Sequence, residues 1–225
     1  MDIQELFNTA FTQFPMSVKF TPRDTAPVQL YVTASAFSTA PNQLIGITVA
    51  LDGKPLGNLM IFANEAQSHK ALVTTMFSVQ FDDLTPHTLT FTAATPYTKC
   101  DFNDIVGAAL LMASEVAPFV WNTVGPIPQY TTFQSQVSGP ALLFFSGSAY
   151  RSVAGPVGVE VVIGGKPVAI SQYQASTPSS HQAFPPRFTQ VMLPYSKDPI
   201  PIGFSTNSGD ISSDSNDYYQ LVLIY

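Results

Sequence analysis

The segment Gly46-Ile-Thr-Val-Ala-Leu-Asp-Gly-Lys-Pro-Leu56 returns 112 residues later as Gly158-Val-Glu-Val-Val-Ile-Gly-Gly-Lys-Pro-Val168. His69 and His181 keep the same 112-residue spacing, inside Ser-His-Lys-Ala-Leu (68–72) and Ser-His-Gln-Ala-Phe (180–184). Asp101-Phe-Asn-Asp104 pairs with Asp214-Ser-Asn-Asp217 at a spacing of 113, so one residue has been inserted between these landmarks. Three landmarks in one order at one spacing mark an internal duplication, and whatever fold the chain adopts must be built twice.

Each copy reads as short strands. Val28–Phe37 and Ala141–Tyr150 are rich in β-branched and aromatic residues, and Ile45–Leu51 alternates in polarity. Asp52-Gly53 and Gly164-Gly165 are two-residue hairpin turns, since both positions tolerate positive φ. Pro55 and Pro167 follow two residues after the glycine, and proline donates no ladder hydrogen bond, so the returning strand belongs at a sheet edge. The expected fold is all-β: two tandem antiparallel β-sandwiches, jelly-roll-like in preference to immunoglobulin-like, since no Cys–Trp–Cys core is present. The expected organisation is an N-terminal arm (1–16), a first sandwich (17–112), a packed linker (113–129) and a second sandwich (130–225). Within the arm, Ile3, Leu6, Phe7, Ala10, Phe11 and Phe14 stand at helical spacing behind Asp2 as N-cap. They predict a short helix, packed on its own sandwich or docked on a neighbour through Ile3, Leu6, Phe7 and Phe11. The linker carries Pro118, Pro126, Pro128 and the single tryptophan, Trp121. Its apolar residues predict a segment that packs, not a floppy tether.

Only 11% of the residues are charged while 45% are hydrophobic, with 17 Phe. A folded chain with so few charges is expected to hide outer surface against neighbours. No run of Lys or Arg exists, so nucleic acid is not an expected partner. No apolar window is long enough to span a membrane and the N-terminus has no signal-peptide pattern, which points to synthesis in a cytoplasm. Cys100 stands alone, so no internal disulfide framework is expected.

Chemistry-bearing residues are few. A catalytic His needs a nucleophile or carboxylate in reach, and no nucleophile elbow appears. His69 and His181 are therefore expected to hydrogen-bond a carbonyl or an Asp of their own copy. Asp101, Asn103 and Asp104, and Asp214, Asn216 and Asp217, each precede a final strand. They read as Asx turns, or as oxygen ligands for Ca²⁺ or a bound ligand, although the EF-hand pattern is absent. Asp210 with Ser212 and Ser213 adds oxygens in the second copy. Asp82-Asp83 falls in a turn, and His87 has no counterpart, since Ile200 stands in its place. No resident cofactor is expected beyond such a calcium ion, and the residues offer no catalytic set, so the chain is not expected to be an enzyme.

Tandem jelly rolls over the whole chain resemble the arrangement in some virus and phage virion proteins, among them capsid, decoration and tail components. The resemblance is architectural and implies a homo-oligomer, a trimer in the first place, bound to other shell or tail proteins and located in the virion. The other class kept open is a lectin-like module with one glycan site per copy, calcium-dependent through the Asp-x-Asn-Asp loops.

Overall fold

A computed structural model describes residues 3–112, 116–135, 137–207 and 211–225. The chain is all-β, as the sequence predicts, and divides into two compact units, Met1–Glu115 and Val116–Tyr225.

The first unit contains β1 (Ile3–Ala10), β2 (Met16–Phe20), β3 (Val28–Ser38), β4 (Gln43–Leu51), β5 (Lys54–Ala63), β6 (His69–Ala71), β7 (Thr75–Val79), β8 (His87–Ala93), β9 (Thr98–Lys99) and β10 (Ile105–Met112). The second contains β11 (Phe119–Val124), β12 (Gln129–Phe133), β13 (Gly139–Ala149), β14 (Gly155–Ile163), β15 (Lys166–Ala175), β16 (Gln182–Leu193), β17 (Ile200–Thr206) and β18 (Tyr218–Ile224). The second unit pairs its strands in two sheets, β11-β18-β13-β16 and β12-β17-β14-β15. The first repeats this scheme as β1-β10-β3-β6, with β7 also on β3, and β2-β8-β4-β5. In both units the first strand pairs with the last, and the second pairs with the long strand before the closing turn, β8 in the first unit and β17 in the second, while the two-residue β9 pairs with β3. That is the jelly-roll order, and it sets aside the immunoglobulin-like alternative.

Alternation explains the cores. In β4, Ile45, Ile47 and Val49 are buried, as are Leu59 and Ile61 of β5, Val106, Ala108 and Leu110 of β10, and Leu89 and Phe91 of β8. The second unit closes around Leu143, Phe145, Val159, Val161, Phe204, Leu221 and Leu223. The hairpin turns fall where predicted: Asp52 and Gly53 have φ of 49° and 79°, Gly164 and Gly165 have φ of 57° and 78°. Pro55 and Pro167 lie near the start of β5 and β15, and both strands end their sheets.

Two expectations are corrected. Ile3, Leu6, Phe7 and Ala10 lie in a strand, not a helix: β1 runs antiparallel to β10 from Ile3↔Leu111 to Ala10↔Ile105. A bulge between Glu5 and Phe7 inserts one residue, which breaks the period of two and mimics helical spacing. Phe11 follows the strand fully buried, its N–H donating to the Asp104 carbonyl at 2.7 Å, while Asp2 lies outside the described residues. The segment expected as a linker holds β11, whose Phe119–Val124 pair with Leu223–Tyr218 of β18. Trp121 stacks on Phe204 at 5.6 Å within the second unit's core. Its apolar residues pack because they belong to the sandwich itself.

Candidate functional site

The Asp-x-Asn-Asp segments lead into the last strand of each unit and form the same five hydrogen bonds twice. In the first unit Asp104 N–H donates to the Asp101 carbonyl (3.0 Å), and Asn103 N–H to Asp101 Oδ1 (2.8 Å). Asp101 N–H donates to Asp104 Oδ2 (3.0 Å). The Ser35 hydroxyl on β3 donates to Asp104 Oδ1 (2.8 Å) and accepts the Ile105 N–H (3.1 Å). In the second unit the matching bonds join Asp217 to Asp214 (3.2 Å), Asn216 to Asp214 Oδ1 (2.7 Å) and Asp214 to Asp217 Oδ2 (2.9 Å). Ser148 on β13 donates to Asp217 Oδ1 (2.8 Å) and accepts the Tyr218 N–H (3.2 Å). Each network ties the turn before the last strand to the long strand beside it, so it works as a latch.

The histidines join these latches differently. His69 Nδ1 lies 2.9 Å from Asp104 Oδ1, and its Nε2 lies 3.7 Å from Asp101 Oδ2. His181 turns Nε2 inward, 3.4 Å from Asp214 Oδ1 and 3.8 Å from Asp217 Oδ2. The His69 side chain is 34% exposed and that of His181 3%. An aromatic ring backs each one, Phe37 at 4.9 Å and Tyr150 at 4.5 Å. The Asp104 and Asp217 side chains are fully buried. Burial pushes the Asp217 carboxyl up to about 7, with the Asp214 charge adding, against the hydrogen bonds from Asp214 N–H and Ser148. Burial, then the charges of Asp104 and Asp101, pushes the nearby Cys100 thiol up to about 11, so it is a thiol at neutral pH.

His69, Asp101 and Asp104, and likewise His181, Asp214 and Asp217, bring one ligand atom each within 4.8 Å of one another. Two carboxylates and an imidazole nitrogen suit a borderline ion such as Zn²⁺ better than Ca²⁺, which takes six to eight oxygens. Such an ion would compete with the latch bonds for the buried carboxylate. The asparagines enter the networks through backbone N–H groups, and Asp210 lies outside the described residues.

Ser35 and Ser148 complete the site from outside its Asp-x-Asn-Asp motifs. Their signal is the match of Ser35-Ala-Phe37 with Ser148-Ala-Tyr150, at the same 113-residue spacing as the Asp motifs. The Asp52–His87 pair is a second cluster not anticipated, since its members are 35 residues apart and meet only through the pairing of β4 with β8.

Replacing the buried His181 by Ala is expected to cost the second unit about 2 kcal/mol, and replacing the part-exposed His69 about 1 kcal/mol or less in the first. Urea unfolding with residue-resolved amide exchange measures both. Equal losses, or none at His181, would contradict the difference in burial.

No protein-family model matches the sequence, and no curated protein matches it. Solved structures do. The chain is similar to PNGase F, a glycosylasparaginase from Flavobacterium meningosepticum, at 8% identity and a TM-score of 0.44, over 99% of this chain and 95% of that one. A recombinant N-glycanase F gives 10% identity and a TM-score of 0.43 at the same coverage. The major capsid protein P2 of bacteriophage PM2 gives 11% identity and a TM-score of 0.26, over 99% of this chain and 96% of that one. The first two overturn one expectation. Enzymes stand among the structures similar to this chain along its whole length, so the reading of the chain as a non-enzyme is withdrawn. At these scores no reaction, substrate or residue role carries over.

Proposed function

We propose that the chain is a self-assembling structural subunit of a virion-type shell or tail. The observation that carries this reading is the outward face of β16, which ends its sheet. Phe188 (41% exposed) and Met192 (74%) project from it, and Tyr195 (59%) follows it. Beside it runs an open groove of about 480 Å³, lined by Ile163, Val168, Met192, Pro194 and Ile200 among others. An exposed hydrophobic edge of this kind is a pairing and aggregation hazard unless a partner covers it. In a chain with 11% charged residues the partner is a second copy, and three copies around a threefold axis would supply six similar sandwiches. Met192→Glu, at a site exposed in the single chain, tests this. Sedimentation velocity is expected to show the wild type as a trimer or larger and the variant shifted toward one chain. A wild type that sediments as one chain, or a variant that assembles unchanged, would overturn the proposal.

A second reading, a metal-dependent glycan-binding module, is favoured by the twin His–Asp–Asp sets. It requires that chelation lower the melting temperature and abolish glycan capture.

A further inference from the structure

The two units share a clasp at the turn of the duplicated hairpin. The turn N–H of Asp52 donates to the Thr88 carbonyl (2.9 Å), and that of Gly164 to the Pro201 carbonyl (2.8 Å). Only the first unit builds on it. Asp52 Oδ1 accepts the Thr88 N–H at 2.8 Å, and Oδ2 lies 2.6 Å from His87 Nδ1. In the second unit Gly164 has no carboxylate, Ile200 replaces the imidazole, and Pro201 has no N–H to give.

The His87 ring lies beside Phe81 at 4.8 Å and Phe20 at 6.1 Å, with its side chain 15% exposed. Its other nitrogen, Nε2, turns to the loop between β7 and β8, where Asp83 Oδ1 is 3.7 Å away. Asp83 Oδ1 is itself fixed by the Thr85 N–H (2.8 Å) and hydroxyl (2.5 Å). Asp82 and Lys54 line the adjoining groove of about 280 Å³, and Lys19 is the charged residue of the neighbouring strand β2. The ring is thus faced by carboxylates from two different connections, one on each nitrogen.

We infer that His87 is a proton-operated clip that fastens the β4–β5 turn to the β7–β8 loop in the first unit alone. With both nitrogens protonated, Nδ1–H binds Asp52 and Nε2–H attracts Asp83. Loss of one proton leaves Nδ1–H on Asp52 and turns Nε2 into a lone pair facing a carboxylate, so the loop is released. The hydrogen bond to Asp52 is the largest influence raising the His87 pKa, burial opposes it, and the Asp83 backbone and both carboxylates add to it. The clip therefore holds fully below the pKa of a free histidine and is lost as pH rises through the higher folded value. In an assembled shell this places a pH response at one of two otherwise matching turns.

The test follows the His87 imidazole by NMR and the amide exchange of Asp52, Thr85 and Thr88 between about pH 5 and about pH 9, corrected for intrinsic rates. A midpoint above the free-histidine value is expected, with exchange of the Thr85 amide in the released loop about tenfold faster beyond it and the Asp52 and Thr88 amides, on the side that keeps its Nδ1–H bond, little changed. His87→Gln, which retains a donor for Asp52, is expected to fold and to lose the step, and Asp83→Asn to move the midpoint down. Thr85 protection that does not change across the titration of His87, or a step that survives in His87→Gln, would overturn the inference.

Discussion

Raising the pH from about 4 to about 8 is expected to cost the second unit on the order of 4 kcal/mol of stability, through Asp217. The folded carboxyl titrates near 7 while an unhindered one titrates at 3.8. Between those values the folded unit keeps a proton that the unfolded chain has released, so the unfolding free energy falls as pH rises and levels off above the folded pKa. Desolvation drives the shift: the side chain is fully buried, and His181 stays 3.8 Å from the nearer oxygen. Carboxylates held below their normal pKa, such as Asp52 and Asp83, act in the opposite sense, so a global melt mixes the two. Amide exchange in β13 and β18 isolates the second unit. Asp217→Asn, which cannot ionise, is expected to flatten the slope. A profile for these strands that is flat or rises in the wild type would contradict the desolvated carboxyl.

Asp104→Ala is expected to destabilise the first unit by about 3 kcal/mol. The substitution strips the partner from the Ser35 hydroxyl, the Asp101 N–H and His69 Nδ1 at once, and it does so where the carboxylate is fully buried. Ser35→Ala removes two of the five latch bonds and leaves the Ile105 N–H without its acceptor, so about half that loss is expected. Chemical denaturation read through β10 amides measures both. A loss below about 1 kcal/mol for Asp104→Ala would mean that the latch contributes little to closing the sandwich.

Much of this architecture is legible in the sequence because its signals are local. The hairpin turns are written as Asp52-Gly53 and Gly164-Gly165, the edge strands carry Pro55 and Pro167, and the duplication is visible as spacing. The N-terminal strand is not legible, because the bulge near Leu6 turns adjacent apolar residues to one side and imitates a helix. Trp121 and Phe119 read as a packed linker because nothing in their own segment reveals β18, about a hundred residues on, as the pairing partner. The Asp motifs announce their turns, but their buried partners Ser35 and Ser148 are 69 residues away in each copy. Only the strand order brings them together. His87 shows the same limit, since its meaning depends on a hairpin turn delivered by a different strand.

The mass of the purified protein in solution, by light scattering with and without EDTA, decides most directly between assembly and metal-dependent binding. A trimer or larger species that is indifferent to EDTA is the expected result. A single chain whose melting temperature falls on chelation would contradict the assembly proposal and move the twin His–Asp–Asp sets from latch to metal centre.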